Sequence, residues 1–248
     1  KEFGGTSRGE ISIVGDFDPK AVEKIIRDDY AKYVSKAHYA PVVTEYRPVK
    51  ATRVVIDTPD KENAIIVARS VFPINDTAPD APALTVANWI LGGGTGLSNR
   101  LIERLRQKEG LSYGAGSHVR IPAKGDNGSF VFRAIVAPQN MLQAEASARD
   151  VIAKAIKDGF TDQEVEEAKK GLLQAMQVAL SQDDVVARSW NDKMENQRTW
   201  VFSKKQAEAI SKLTTADVNA ALRKYIKPDE ITFVLAGDQK KAAQKKQD

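Results

Sequence analysis

Residues 92–118 read GGGTGLSNRLIERLRQKEGLSYGAGSH, and the meaning of this stretch decides the fold. Three glycines run through a short polar turn into a helix, which is the outline of a phosphate cradle. A Walker loop needs G-x-x-x-x-G-K-[ST], so that a lysine reaches the phosphates and a hydroxyl holds magnesium. Here Gly96-Leu97-Ser98 stands instead. A dinucleotide fingerprint places its glycines between a strand and a helix, whereas these lie between two helices. The remaining reading is mechanical: GGGTG lets one helix stop and the next start at a sharp angle, with glycines at positive φ.

The helix that follows, SNRLIERLRQKEG, takes Ser98 as its N-cap and Gly110 as its stop. Arg100, Arg104 and Arg106 lie on it, and Tyr113 comes just past its end. If a strand begins at Leu111, the chain reverses between Arg106 and Tyr113, and a guanidinium fork and a phenol can converge on one patch. Such a pair donates to carbonyl oxygens, as a site gripping an extended peptide or a developing oxyanion requires. On the residues alone, an exposed arginine and a half-buried tyrosine without a shared role is the favoured reading.

Outward from this segment, strands and helices alternate. EISIVGDF, residues 10–17, reads as a strand ending in a Gly-Asp turn, and Asp18-Pro19 caps a helix with Val22, Ile25, Ile26 and Tyr33 at helical spacing. Residues 35–50 hold two prolines and no clean period, as a linker would. ATRVVIDT and ENAIIVARSVF read as strands on either side of a Pro-Asp turn, DAPALTVANWILGG as a helix, and LSYGAGSHVRI with GSFVFRAIVA as an antiparallel pair. The remainder is mainly helical. TDQE at 161–164 and TTAD at 214–217 open helices, DDVVARSWNDKMENQRTW spans a third, another begins near Ser203, and ITFVLAGD closes as a strand. That strand repeats the plan of ISIVGDF near the start, which suggests two sibling domains, although a strand followed by Gly-Asp also recurs by chance.

Composition excludes several classes. The 248 residues, 42% hydrophobic, suffice for a core, and 37 basic against 33 acidic residues leave a formal charge of +4 without large blocks. No cysteine is present, so disulfides, thiol nucleophiles and thiolate metal sites are excluded. No apolar run is long enough to span a membrane, so no membrane partner is expected. The tail QKKAAQKKQD reads as solvated and flexible, and as a nucleic-acid contact it lacks interleaved aromatics, so nucleic acid is not an expected partner. The opening KEFGGTSRGE has neither a start methionine nor a signal-peptide core and reads as the start of an excised piece.

LSNRLIERLRQKEGLSYGAGSH, residues 97–118, resembles the second-domain signature of the pitrilysin/insulinase family of zinc metallopeptidases, which includes the mitochondrial processing peptidase subunits. The L-R-x-K-x-x-L-x-Y core falls on Leu105, Arg106, Lys108, Leu111 and Tyr113. GDFDP at 15–19, the glycine-rich junction and GFTDQEVEEAKKGLL at 159–173 follow in family order, so the resemblance covers nearly the whole chain. It implies paired α+β domains, each a two-layer sandwich with a mostly antiparallel sheet, whose halves enclose a chamber where zinc hydrolyses peptides. Residues 1–34 would then end a preceding sibling domain, 35–50 link, and 51–248 form the next domain, with 239–248 a flexible tail. The resemblance gives Arg106 and Tyr113 the role of binding peptide substrate.

The family's H-x-x-E-H zinc motif is absent. His38, in the linker, and His118, on a strand, have no neighbour at metal-ligand spacing, and the carboxylates of TDQEVEEAKK are balanced by Lys169 and Lys170 as on a solvated helix face. The resemblance therefore implies no cofactor and no catalytic residue in this fragment, zinc in the parent enzyme or its partner half, and no activity for the fragment alone. Its partners would be the zinc-bearing half and the peptide, and the exported members of the family point to the periplasm. The alternative is a non-catalytic scaffold or partner subunit, as in the respiratory-complex core proteins; the presence of both Arg106 and Tyr113 argues against it.

Overall fold

The computed structural model describes residues 4–6, 9–38, 40–94 and 99–244. The described backbone groups into two compact units, one drawn from residues up to Val43 together with Gln174–Lys205, the other from Thr44–Leu173 and from Gln206 onward. The first boundary, between Val43 and Thr44, lies within residues 35–50, which the sequence reads as a linker; the other two, after Leu173 and after Lys205, fall inside helices.

The larger unit is built on one five-stranded sheet of order β1-β5-β2-β4-β3, comprising β1 (Arg53–Asp57), β2 (Ala64–Pro73), β3 (Ser112–Arg120), β4 (Asn127–Val136) and β5 (Thr232–Gly237). Only β1 and β5 run parallel; every other neighbouring pair is antiparallel. The fold is α+β with a mostly antiparallel sheet, as the sequence implies. Strict alternation in AIIVARSVFP sets the register, because a slip by one residue would turn Ala64, Ile66, Ala68 and Phe72 out of the core. Phe130, Phe132 and Phe233 are fully buried on the same face.

Helices cover that face: α2 (Ala81–Asn88), α4 (Met141–Asp158), the start of α5 (Asp162–Ala179) and α8 (Thr215–Tyr225). Tyr225 lies 5.3 Å from Phe72 between ring centroids and donates its hydroxyl to Asp80 at 2.8 Å. Glu145 on α4 is buried and bridges Arg53 of β1, at 2.8 Å, and Arg149, at 2.9 Å. The guanidinium of Arg149 in turn stacks 3.7 Å from the Phe233 ring centroid. Burial would push the Glu145 carboxyl up, but hydrogen bonds from both arginines hold it below the usual carboxylate range.

Local signals that carry their own hydrogen bonds appear where the sequence puts them. Thr161 and Glu164 cap each other's backbone amides, and Thr214 with Asp217 forms a second capping box. Asp60, after Pro59, takes the left-handed φ of 61° that turns β1 toward β2. Gly159 at φ 80° ends α4, and Asn219 holds both backbone groups of the next residue, Phe160.

In the smaller unit, α1 (Pro19–Tyr30) begins as expected, with the Lys20 amide donating to Asp18 at 2.9 Å. EISIVGDF, however, is not a strand: residues 9–14 are extended without a ladder, and Ile11 and Ile13 are 52% and 45% exposed. β-branched composition favours an extended backbone, but a strand requires a neighbour to take its hydrogen bonds. The helix expected through Trp200 is divided into α6 (Asp183–Glu195) and α7 (Trp200–Lys212), separated by a turn in which Gln197 takes φ 54°. Trp190 and Trp200 meet edge to face at 5.5 Å, and Lys193 Nζ lies 4.1 Å from the Trp200 centroid.

The C-terminal segment expected as flexible contains α9 (Gln239–Gln244). Buried Asp238 caps it, accepting from the amides of Lys240 and Lys241, and Ala242 is buried.

Candidate functional site

The glycine-rich junction is a packing device. α2 continues as a π-helix over Trp89–Gly93, and this wider turn lies against β3. A Cβ on Gly92 would stand 2.6 Å from Ser117 Oγ and 2.7 Å from Leu101 Cδ1, and one on Gly93 would collide with the Asn88 side chain. Buried Asn88 accepts from the Ser117 hydroxyl at 2.8 Å, fixing the turn to the strand. The expectation of positive φ is corrected here: Gly94 has φ −64°, and neither Gly92 nor Gly93 adopts positive φ. These glycines serve close approach of two backbones. Gly96 and Ser98 lie outside the described residues, and the N-cap role assigned to Ser98 falls to Asn99, which accepts from the Ile102 amide at 2.9 Å.

The following helix starts as α3 (Arg100–Ile102) and widens into a π-helix over Glu103–Lys108. Leu105 is fully buried, while Arg106 next to it is exposed. Gly110 takes φ 60°, and the Leu111 amide donates back to the Leu105 carbonyl at 2.8 Å. That bond is the glycine-terminated helix stop that the sequence predicts, stretched by the extra residue of the π turn. It sets Arg106, adjacent to Leu105, and Tyr113, two residues beyond Leu111, on either side of one tight reversal.

Tyr113 also occupies an irregular position. Ser112 pairs with Val136 and Gly114 with the adjacent Ile135, so Tyr113 is the extra residue of a β-bulge. Ser112 Oγ holds the bulge, within 2.7 Å of the Gly114 carbonyl and 2.9 Å of the Ile135 carbonyl while accepting from the Gly114 amide at 3.1 Å. A bulge re-aims its side chain, and Tyr113 is 70% exposed. Each predicted binding residue therefore sits where one additional residue interrupts a regular element. Neither interruption has a sequence signal: the bulge is defined by its register on β4, and the π turn by a local bond from the Glu109 amide to the Arg104 carbonyl that no particular residue type demands.

The charges nearby divide sharply. Arg100 is bidentate to Glu164, at 2.7 and 2.8 Å, and reaches the Gly159 carbonyl. Arg104 pairs with Glu109 and Asp150, which raises its pKa further, the hydrogen bond it donates to Glu109 being the main cause. Lys108 pairs with Glu103 at 2.8 Å. Among the described residues, Arg106 is the one basic group of this helix without a carboxylate partner. Its five donors and the Tyr113 hydroxyl remain available to an external acceptor.

Among the described residues, no three His, Cys, Asp or Glu side chains converge to hold a metal ion. His118 lies on β3 opposite Val131, away from any such cluster. No described helix is long and apolar enough to cross a membrane.

Comparison with known proteins identifies the family. The family model of the peptidase M16 inactive domain matches residues 4–172. A curated relative, the non-peptidase homolog YmxG of Helicobacter pylori, is 23% identical over 185 residues, which are 73% of this chain and 41% of the relative. The fold superposes with a TM-score of 0.75 on a peptidase M16 inactive domain from Pseudomonas fluorescens, at 24% identity over 90% of this chain and 52% of that one. A protease from Helicobacter pylori gives 0.71 at 21% identity, over 90% and 53%. The chain thus spans about half the length of these structures and less of the curated relative. With more than half of its residues matched, the chain belongs to the M16 peptidase family, the pitrilysin/insulinase group that its sequence resembles, and corresponds to the family's inactive C-terminal domain.

Proposed function

We propose that this chain is the substrate-binding, metal-free portion of a zinc peptidase, in which Arg106 and Tyr113 hold the peptide while another domain or subunit supplies the zinc. The observation that carries this reading is the isolation of Arg106. Three neighbouring basic groups are consumed by internal carboxylates, whereas Arg106 is exposed on a π turn, and exposed Tyr113 stands on the bulge that follows it in sequence. A guanidinium fork and a phenol can both donate to a peptide carbonyl, and their donation strengthens as negative charge grows on that oxygen. The chain itself contributes binding and orientation and performs no hydrolysis alone. An exported, periplasmic enzyme is the setting we favour, and residues 1–34 are read as the end of a sibling domain whose sheet would pair the extended segment around Ile11 and Ile13.

In the parent protein with its zinc-bearing half, Arg106→Ala or Tyr113→Phe should lower kcat about 10²–10³-fold if the donors act on the developing oxyanion. A rise in KM at unchanged kcat would instead mark them as uniform binding groups. Either result supports substrate binding; unchanged kinetics in both variants would refute it. A second reading, a non-catalytic partner subunit acting as an interaction surface, is favoured by the name of the Helicobacter pylori relative, a non-peptidase homolog. It predicts that the same substitutions weaken subunit association and leave peptide affinity untouched.

A further inference from the structure

On the side opposite the helices, the sheet exposes apolar side chains. Ile65 on β2 and Ile135 on β4, which pair across the ladder, are each 46% exposed. Beside them, Val67 pairs with Arg133, and Arg69 pairs with Val131. On the outer side, the cross-strand partners of Ile135 and Arg133 are Gly114 and Gly116, which have no side chains to fill the surface. A Cβ on Gly114 would meet nothing within 4 Å. The result is a recess of about 700 Å³ floored by Ile65, Val67, Val131 and Ile135, with Arg133 and His118 as its charged or titratable groups.

The charge of this surface is one-sided. β2, β3 and β4 carry Arg69, Arg120, Arg133 and His118 and no Asp or Glu in their sequences. Arg69 and Arg133 are exposed, and neither donates to a carboxylate among the described residues. An apolar floor joined to unpaired guanidinium groups is complementary to a chain that is both aliphatic and acidic. Spacing narrows the choice further. Ile135 and Arg133 are alternate residues of one strand, so an extended ligand lying along them would present side chains of the two kinds two residues apart. The recess has no aromatic side chain on which nucleobases could stack, which disfavours single-stranded nucleic acid.

We propose that this recess binds an extended peptide segment in which an Asp or Glu stands two residues from an aliphatic side chain, the carboxylate on Arg133 and the aliphatic group on Ile65 and Ile135. The inference rests on the substrate-binding reading above and names the chemistry of the substrate it would accept. Gly114, at one end of the recess, follows Tyr113 directly, so a peptide held here would run toward the proposed carbonyl-binding pair.

The test is fluorescence anisotropy of the whole 248-residue chain with a labelled peptide containing Leu-Ser-Glu in a Gly/Ser background. The Glu→Gln peptide and a single-stranded oligonucleotide of equal charge serve as competitors. Binding should weaken about tenfold in Arg133→Glu and more in Arg69→Glu/Arg133→Glu, recover largely in Arg133→Lys, and prefer the acidic peptide over its amide. Circular dichroism checks that the variants fold. Absence of binding, equal affinity for both peptides, indifference to Arg133→Glu, or preference for the oligonucleotide would each overturn the proposal. Arg106→Ala and Tyr113→Phe in the parent enzyme separate the two ideas. Altered kinetics there with no effect of Arg133→Glu would sink the recess alone, and the converse would sink the carbonyl-binding pair alone.

Discussion

The two faces of the sheet use charge in opposite ways. On the covered face, buried Glu145 is enclosed by Arg53 and Arg149, and half-buried Asp80 by Lys224 and Tyr225, so both carboxylates are satisfied within the fold. On the open face, Arg69 and Arg133 stand among aliphatic residues with no carboxylate on their strands. The same contrast recurs on the helix after the glycine junction, where Arg100 and Arg104 are paired and Arg106 is not. Internal pairing ties a charge to the fold, and on the proposed reading the unpaired ones face a partner.

The largest test of that contrast compares adjacent residues of β4. Phe132 is fully buried and Val131 faces the recess. Phe132→Ala should cost about 3–5 kcal/mol in chemical unfolding, whereas Val131→Ala should cost under about 1 kcal/mol and act on peptide binding instead. Similar losses for the two would remove the distinction between the faces.

A smaller effect is expected from Glu145→Gln, which leaves two half-exposed arginines without their anion. A loss of about 2 kcal/mol at neutral pH is expected, below the cost of breaking a fully buried pair. Because the folded carboxyl titrates below its ordinary value of 4.5, its contribution is present above that pH and disappears as pH falls through the lowered value. Unfolding curves of wild type and variant should converge across that acid range. A gap that stays constant with pH would show that the carboxylate charge contributes nothing.

The glycines give the finest comparison. Gly92→Ala places a methyl group 2.8 Å from the Ser117 amide nitrogen and should cost about 1–3 kcal/mol, while Gly114→Ala enters open space and should move stability by under about 0.5 kcal/mol. Gly114→Ala should nevertheless narrow the recess and weaken the acidic peptide.

Much of the fold was legible because its signals are local. The boxes at Thr161–Glu164 and Thr214–Asp217, the cap at Asp18 and the stop at Gly110 each complete their own hydrogen bonds within a few residues, and the alternation in AIIVARSVFP shows which side chains face the core without any knowledge of its ladder partners. Features defined by distant partners were not. EISIVGDF has strand composition but no ladder, and β5 takes its place between β1 and β2 after a long excursion. The same limit applies to the site. The family motif identifies Arg106 and Tyr113 as residues, but the bulge that presents Tyr113 depends on distant β4, and the π turn that presents Arg106 is a local widening that no residue type announces. Ser112 and Arg133 carried no motif, and only the register of β3 on β4 reveals what they adjoin.

The central claim, that Arg106 and Tyr113 act together on one peptide group, is tested most directly by a double-mutant cycle in kcat/KM of the parent enzyme. If both donors serve one carbonyl, Arg106→Ala/Tyr113→Phe should lose little more than the worse single variant, with a coupling of more than about 1 kcal/mol and unchanged melting temperatures. Strictly additive losses, or a loss that tracks a fall in melting temperature, would contradict the account.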